Sequence, residues 1–107
     1  MPYYLFQAAY QSEALAKLIK KPVDRGEAIR GVLEKMGGKL IGNWFCFGDY
    51  DIVLICELPD NVSAAAFSIA AAAGGAIKSN KTTPLFSGTE TLQIFKSASK
   101  TGYQPPK

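Results

Sequence analysis

Hydrophobic and polar positions along this chain change their period several times, and each change marks an element. Residues 3–10, YYLFQAAY, are aromatic and small apolar residues and read as a first strand. QSEALAKLIKKP follows as a helical turn or two, with Ser12 as the candidate cap and Pro22 ending the run. The clearest helix starts at Asp24, which makes a capping-box-like pair with Glu27. Ile29, Val32, Leu33 and Met36 then recur at i, i+3, i+4 and i+7, an apolar stripe at helical spacing that Gly37-Gly38 stops. KLIGNWFCF (39–47) and YDIVLICEL (50–58) read as two strands joined by a tight turn at Gly48-Asp49. Pro59-Asp60 closes the second strand and caps NVSAAAFSIAAAA (61–73), an alanine helix of high intrinsic propensity that ends at Gly74-Gly75. AIKSNKTT (76–83) is a thinner, polar strand suited to a sheet edge. SGTETLQIFKSA (87–98) offers Ser87 and Glu90 as a further capping box and predicts a last short helix. The domain is expected over 1–98, and the polar, proline-ending segment 99–107 as a flexible tail unless it docks on a partner.

The order is strand, helix, strand, strand, helix, strand. Two right-handed crossovers into one sheet place both helices on the same face, so the other face is bare. Alternation sets Ile52, Leu54, Cys56 and Leu58 against Asp51, Val53, Ile55 and Glu57. It also sets Leu40, Gly42, Trp44 and Cys46 against Ile41, Asn43, Phe45 and Phe47, and Tyr4, Phe6 and Ala8 against Leu5, Gln7 and Ala9. Both faces are largely apolar, and an exposed apolar patch of that size marks an interface. A homodimer with two sheets packed face to face is therefore expected. The set holding Gln7, Asn43, Asp51 and Glu57 is assigned to the dimer side, with Leu5, Ile41, Phe45, Val53 and Ile55 leading it.

Composition narrows the chemistry. At 107 residues the chain is one domain by length. Its net charge of +3 is carried by scattered lysines with no run that would track a phosphate backbone, so no nucleic-acid partner is expected. Cys46 and Cys56 sit among large apolar neighbours and read as buried free thiols of a reducing compartment. No basic start precedes an apolar run, and the alanine-rich stretch is too short to span a bilayer; the expectation is a cytoplasmic protein with no membrane partner. With no histidine in the chain, histidine-based triads, histidine-rich zinc sites and histidine-ligated haem are excluded. Neither a metal site nor a cofactor is expected.

One stretch carries a resemblance. FGDYDIVLICELPD (47–60), with its G-x-Y-D turn, its strand and its Pro-Asp helix start, resembles the GYD domain family of small bacterial proteins. The likeness runs from MPYYLFQAAY through KPVDRGEAIRGVLEKMGGKLIGNWFCFG to the Gly75 break and TTPLF, nearly the whole chain except the tail. It implies an α+β, ferredoxin-like βαββαβ fold related to the dimeric α+β barrels. The family has no established activity, so the resemblance supplies no catalytic residues.

Two function classes follow. The first is a non-catalytic oligomeric module that binds a small molecule or a partner. The second is a cofactor-free dimeric-barrel enzyme, monooxygenase- or isomerase-like, acting on a small aromatic compound; that reading rests on fold-level analogy. Candidate ligand-binding residues are Gln7, Asn43, Trp44, Tyr50 and Asp51. A deep cavity holding Asn43, Trp44 and Asp51 together would favour the enzyme, and a filled sheet-to-sheet interface the module. The Gly48–Asp51 turn reads first as a structural corner, in which Gly48 permits a positive φ and an aspartate binds turn amides, and second as a pocket mouth. Trp44, Phe45 and Phe47 read as core or interface before an aromatic platform, and Arg25 and Arg30 as a solvated helix face before an anion-binding one.

Overall fold

The chain orders its elements as β1 (Tyr3–Tyr10), α1 (Ser12–Lys20), α2 (Arg25–Lys35), β2 (Lys39–Phe45), β3 (Ile52–Glu57), α3 (Asn61–Ala73), β4 (Ile77–Leu85) and α4 (Gly88–Ser99). The structure is a computed structural model, and it describes residues 1–106. The four strands form one antiparallel sheet in the order β2-β3-β1-β4. The fold is α+β and ferredoxin-like, with a fourth helix after the last strand.

Alternation decides the layering. Tyr4, Phe6, Ala8 and Tyr10 of β1 are buried together with Leu40, Ile52, Leu54 and Cys56. Leu33 of α2 and Ala64 and Phe67 of α3 close over them. Phe6 and Phe67 meet edge to face with ring centroids 5.1 Å apart, a favoured aromatic geometry. The Ser68 hydroxyl of α3 hydrogen-bonds that of Thr82, and the Asn80 amide donates to the Ser68 carbonyl at 3.0 Å, which fastens α3 onto the polar edge strand β4.

Local capping explains where the helices begin. Asp60 accepts from the Ser63 N–H at 2.9 Å, and that N–H holds its carboxyl below the ordinary value. Ser87 and Glu90 complete a reciprocal capping box at 3.1 and 2.9 Å. Asp24 accepts from the Glu27 N–H at 3.0 Å, but the Glu27 carboxylate turns to Arg30 and Asn43, so this box is only half made. Ser12 does not cap α1; Gln11 occupies the cap position and its side chain makes no cap bond.

Two features depart from simple alternation. The first is a β-bulge in β2: Leu40 pairs with Cys56, but Gly42 pairs with Ile55, leaving Ile41 as the extra residue. Every side chain after it changes face. Asn43 and Phe45 therefore point to the helix side, and Gly42 and Trp44 to the bare side. This corrects the assignment of Asn43 and Phe45 to the face that holds Gln7. The bare face instead carries cross-strand rows of Trp44, Val53, Gln7 and Lys81, and of Gly42, Ile55, Leu5 and Thr83. A β-carbon at Gly42 would stand 2.7 Å from the Trp44 ring, so the glycine makes room for the indole.

The second departure is the β2–β3 connection, which spans residues 46–51 and is longer than the tight turn expected. Cys46 consequently lies outside the strand and is half-buried, whereas Cys56 is fully buried as expected. At the far end of the chain, no residue of α4 is buried. Leu92, Phe95 and Ile94 are exposed on an arm that contributes to an elongated molecule of 57 × 35 × 22 Å. Among the described residues, no helix is long and apolar enough to cross a membrane.

Candidate functional site

The connection from β2 to β3 is a clasp. The Asp51 N–H donates to the Ala8 carbonyl at 2.9 Å, and the Asp51 carbonyl accepts from the Cys46 N–H at 2.7 Å. Its carboxylate accepts the Tyr10 N–H at 2.9 Å, beside the register shift in the β1–β4 ladder. A backbone donor displaced by a bulge needs a partner, and Asp51 supplies it. Gly48 turns the loop at φ +130°, a conformation that opposes a side chain. Tyr50 is half-buried, and its carbonyl receives the Cys46 thiol at 3.2 Å.

The five residues singled out from the sequence do not gather in one place. Gln7 lies on the bare face and Tyr50 and Asp51 in the clasp, while Asn43 on the helix side and Trp44, paired on the bare face, both border one cleft. That concavity lies away from the clasp. A cleft of about 580 Å³ opens between α1, the α1–α2 connection and the far end of β2. Its volume falls in the usual range for small-molecule sites. Leu15, Leu18 and Ile19 line it from α1, Val23 from the connection, and Phe45 and Ile52 from the sheet.

Polar groups converge at one end of that apolar trough. Gly26 lets α2 approach β2 so closely that a β-carbon there would collide with Asn43. The Asn43 amide donates to the Glu27 carboxylate at 3.1 Å, which also pairs with Arg30 at 2.8 Å. Arg30 holds the Glu27 carboxyl below its ordinary value, and the Asn43 bond adds to the effect. Arg25 differs from Arg30: no carboxylate among the described residues lies within 4.0 Å of it. It stands at the start of α2 beside the Tyr10 side chain. Burial pushes the Tyr10 hydroxyl above its ordinary pKa and the Arg25 guanidinium draws it partly back. Tyr10 and Arg25 also line the two neighbouring concavities, of about 200 and 470 Å³. Lys17 and Lys21 border the larger of these together with Glu13.

Tyr10 is the residue that sequence reasoning passed over, and Arg25 the one it read first as a solvated helix face. Tyr10 had a signal, because it continues the buried parity of Tyr4, Phe6 and Ala8 to the strand's end, where a phenol sits at the rim of a core. Arg25 offered only a weak one, since a cation in a first helical turn reads as solvated before it reads as an anion site. Asp51 is not among the cleft's lining residues and its carboxylate already holds a backbone amide, so Asn43, Trp44 and Asp51 do not share a cavity. Among the described residues, no three histidine, cysteine, aspartate or glutamate side chains group to hold a metal ion.

The family model for the GYD domain matches residues 4–95. A comparison with curated proteins finds no match.

Proposed function

The chain belongs to the GYD domain family, and on that premise we propose that it is a homodimeric binding module that takes a small molecule into the helix-side cleft. The observation that carries this reading is the cleft itself, about 580 Å³ of mostly apolar wall with Tyr10, Asp24, Arg25 and Asn43 as its polar lining. An apolar trough with few, grouped polar atoms is what a small-molecule site requires.

Self-association has its own support. The bare sheet face exposes Trp44 over half-buried Leu5, Val53 and Ile55. Sheets with one unlayered apolar face bury it against another sheet. The arm α4 adds a second unpartnered apolar surface, because Leu92, Phe95, Thr91, Ala98 and Ile94 fall on one side of the helix. A second copy supplies a partner for both surfaces at once.

Fluorescence titration with the neutral apolar probe N-phenylnaphthylamine tests the cleft. The native protein should bind it, and Leu18→Trp and Val23→Trp, two independent ways of filling the trough, should each abolish binding while the fold persists by circular dichroism. Binding that survives both substitutions would place the probe elsewhere and defeat the reading. Sedimentation at micromolar concentration should show a dimer; a stable monomer would remove the sheet-to-sheet arrangement.

A further inference from the structure

The apolar walls account for the body of a ligand and leave the polar end of the cleft to be explained. Two cationic or donor groups meet there. Arg25 has no carboxylate within 4.0 Å among the described residues, while the other arginine is neutralised by Glu27 at 2.8 Å. The Tyr10 hydroxyl stands beside Arg25, and both border the cleft and the two concavities next to it. Lys17, Lys21 and Glu13 line the neighbouring concavity that shares Tyr10 and Arg25, and Asp24 lines the cleft itself. Asp24 is held by the Glu27 N–H at 3.0 Å, so its charge is already directed at the helix backbone.

We infer that the cleft selects an amphipathic organic acid, its apolar body along Leu15, Leu18, Val23 and Phe45 and its acidic group between Arg25 and the Tyr10 hydroxyl. This rests on the cleft being the binding site. A carboxylate or sulfonate is a good match for a guanidinium, whose planar fork donates two parallel hydrogen bonds. The phenol adds a third donor, since a tyrosine hydroxyl keeps its proton throughout the neutral range. A neutral ligand of the same shape would gain the apolar contacts alone, and an amine would meet Arg25 with like charge.

The test uses two probes that share one aromatic body. Anilinonaphthalene sulfonate carries an acidic group, and N-phenylnaphthylamine does not. The full chain should bind the sulfonate at least about tenfold more tightly than the neutral probe, the lower bound set by a single charge-assisted hydrogen bond. Arg25→Gln should remove that preference and leave the neutral probe's affinity unchanged, and Arg25→Lys should restore part of it. Tyr10→Phe, which keeps the ring, should weaken the sulfonate alone, by roughly a few-fold. Thermal melts of each variant control for folding, and Arg25 is exposed, so its replacement leaves the core intact. If the neutral probe fails to bind at all, the cleft is not a site and the functional reading falls. If both probes bind the native protein equally, or if the sulfonate's advantage persists in Arg25→Gln, the cleft stands and the acid-selective inference is overturned.

Discussion

Gly26 and Gly31 lie on the same helix, and replacing each by alanine should move stability in opposite directions. In a helix, alanine is favoured over glycine by at most about 1 kcal/mol, less in the first turn. Around Gly31 there is nothing within 4 Å, so Gly31→Ala should collect that gain and stabilise the protein by about 0.5–1 kcal/mol. Gly26 is buried, and an added β-carbon would collide with the Asn43 side chain, including its Cβ at 2.7 Å, which only backbone movement can displace. Overpacking of that kind costs about 1–3 kcal/mol, and loss of the exposed Asn43–Glu27 hydrogen bond about 0.5–1 kcal/mol more. After the helix gain is subtracted, Gly26→Ala should destabilise by about 1–3 kcal/mol.

Urea unfolding at fixed protomer concentration reads the difference as a shift in midpoint at constant slope. Asn43→Gly should rescue Gly26→Ala, whereas Asn43→Ala, which retains the obstructing Cβ, should rescue it only in part. If Gly26→Ala raised the midpoint as Gly31→Ala does, α2 would not rest on β2 at Asn43. The bulge-driven placement of Asn43 on the helix side would then be wrong.

Three further outcomes follow from the clasp and the thiols. Gly48→Val should cost on the order of 1 kcal/mol or more because φ is +130° there, while Asp51→Asn, which keeps an oxygen for the Tyr10 N–H, should be mild; equal losses in chemical denaturation would contradict the geometry. A thiol reagent without denaturant should label half-buried Cys46 first and Cys56 slowly, and faster labelling of Cys56 would show that β3 opens readily. Burial pushes the Cys56 thiol up to about 11 from an ordinary value of 9.0, so the unfolded chain ionises first as pH rises. That contribution to stability is intact below pH 9 and lost between about 9 and about 11. The tyrosines Tyr3, Tyr4 and Tyr10, whose pKa values are also raised, add a loss of the same sign; Cys56→Val keeps theirs and should show a shallower decline over that window.

The starts of α3 and α4 were legible in the sequence because capping is local, whereas Ser12 does not cap α1. Asp60 with Ser63 and Ser87 with Glu90 act across three residues, and such spacing survives any rearrangement of the rest of the chain. The layering was legible too, since period-two alternation in β1 and β3 left only one way to bury Tyr4, Phe6, Leu54 and Cys56 together. The bulge at Ile41 was not. In β2 both faces are apolar, so a one-residue insertion that turns Asn43 and Phe45 over leaves the pattern of hydrophobic and polar letters unchanged. The clasp was half legible: the sequence placed a glycine and an aspartate in the turn, but the Tyr10 amide that Asp51 serves is 41 residues away. The cleft belongs wholly to the tertiary structure. It exists because α1 and its connection to α2 stand over the far ends of β1 and β2, and because Gly26 lets α2 settle against Asn43 of β2. Residues far apart in the chain meet there through packing, and no local spacing encodes a contact that only the closing of helices over a sheet creates.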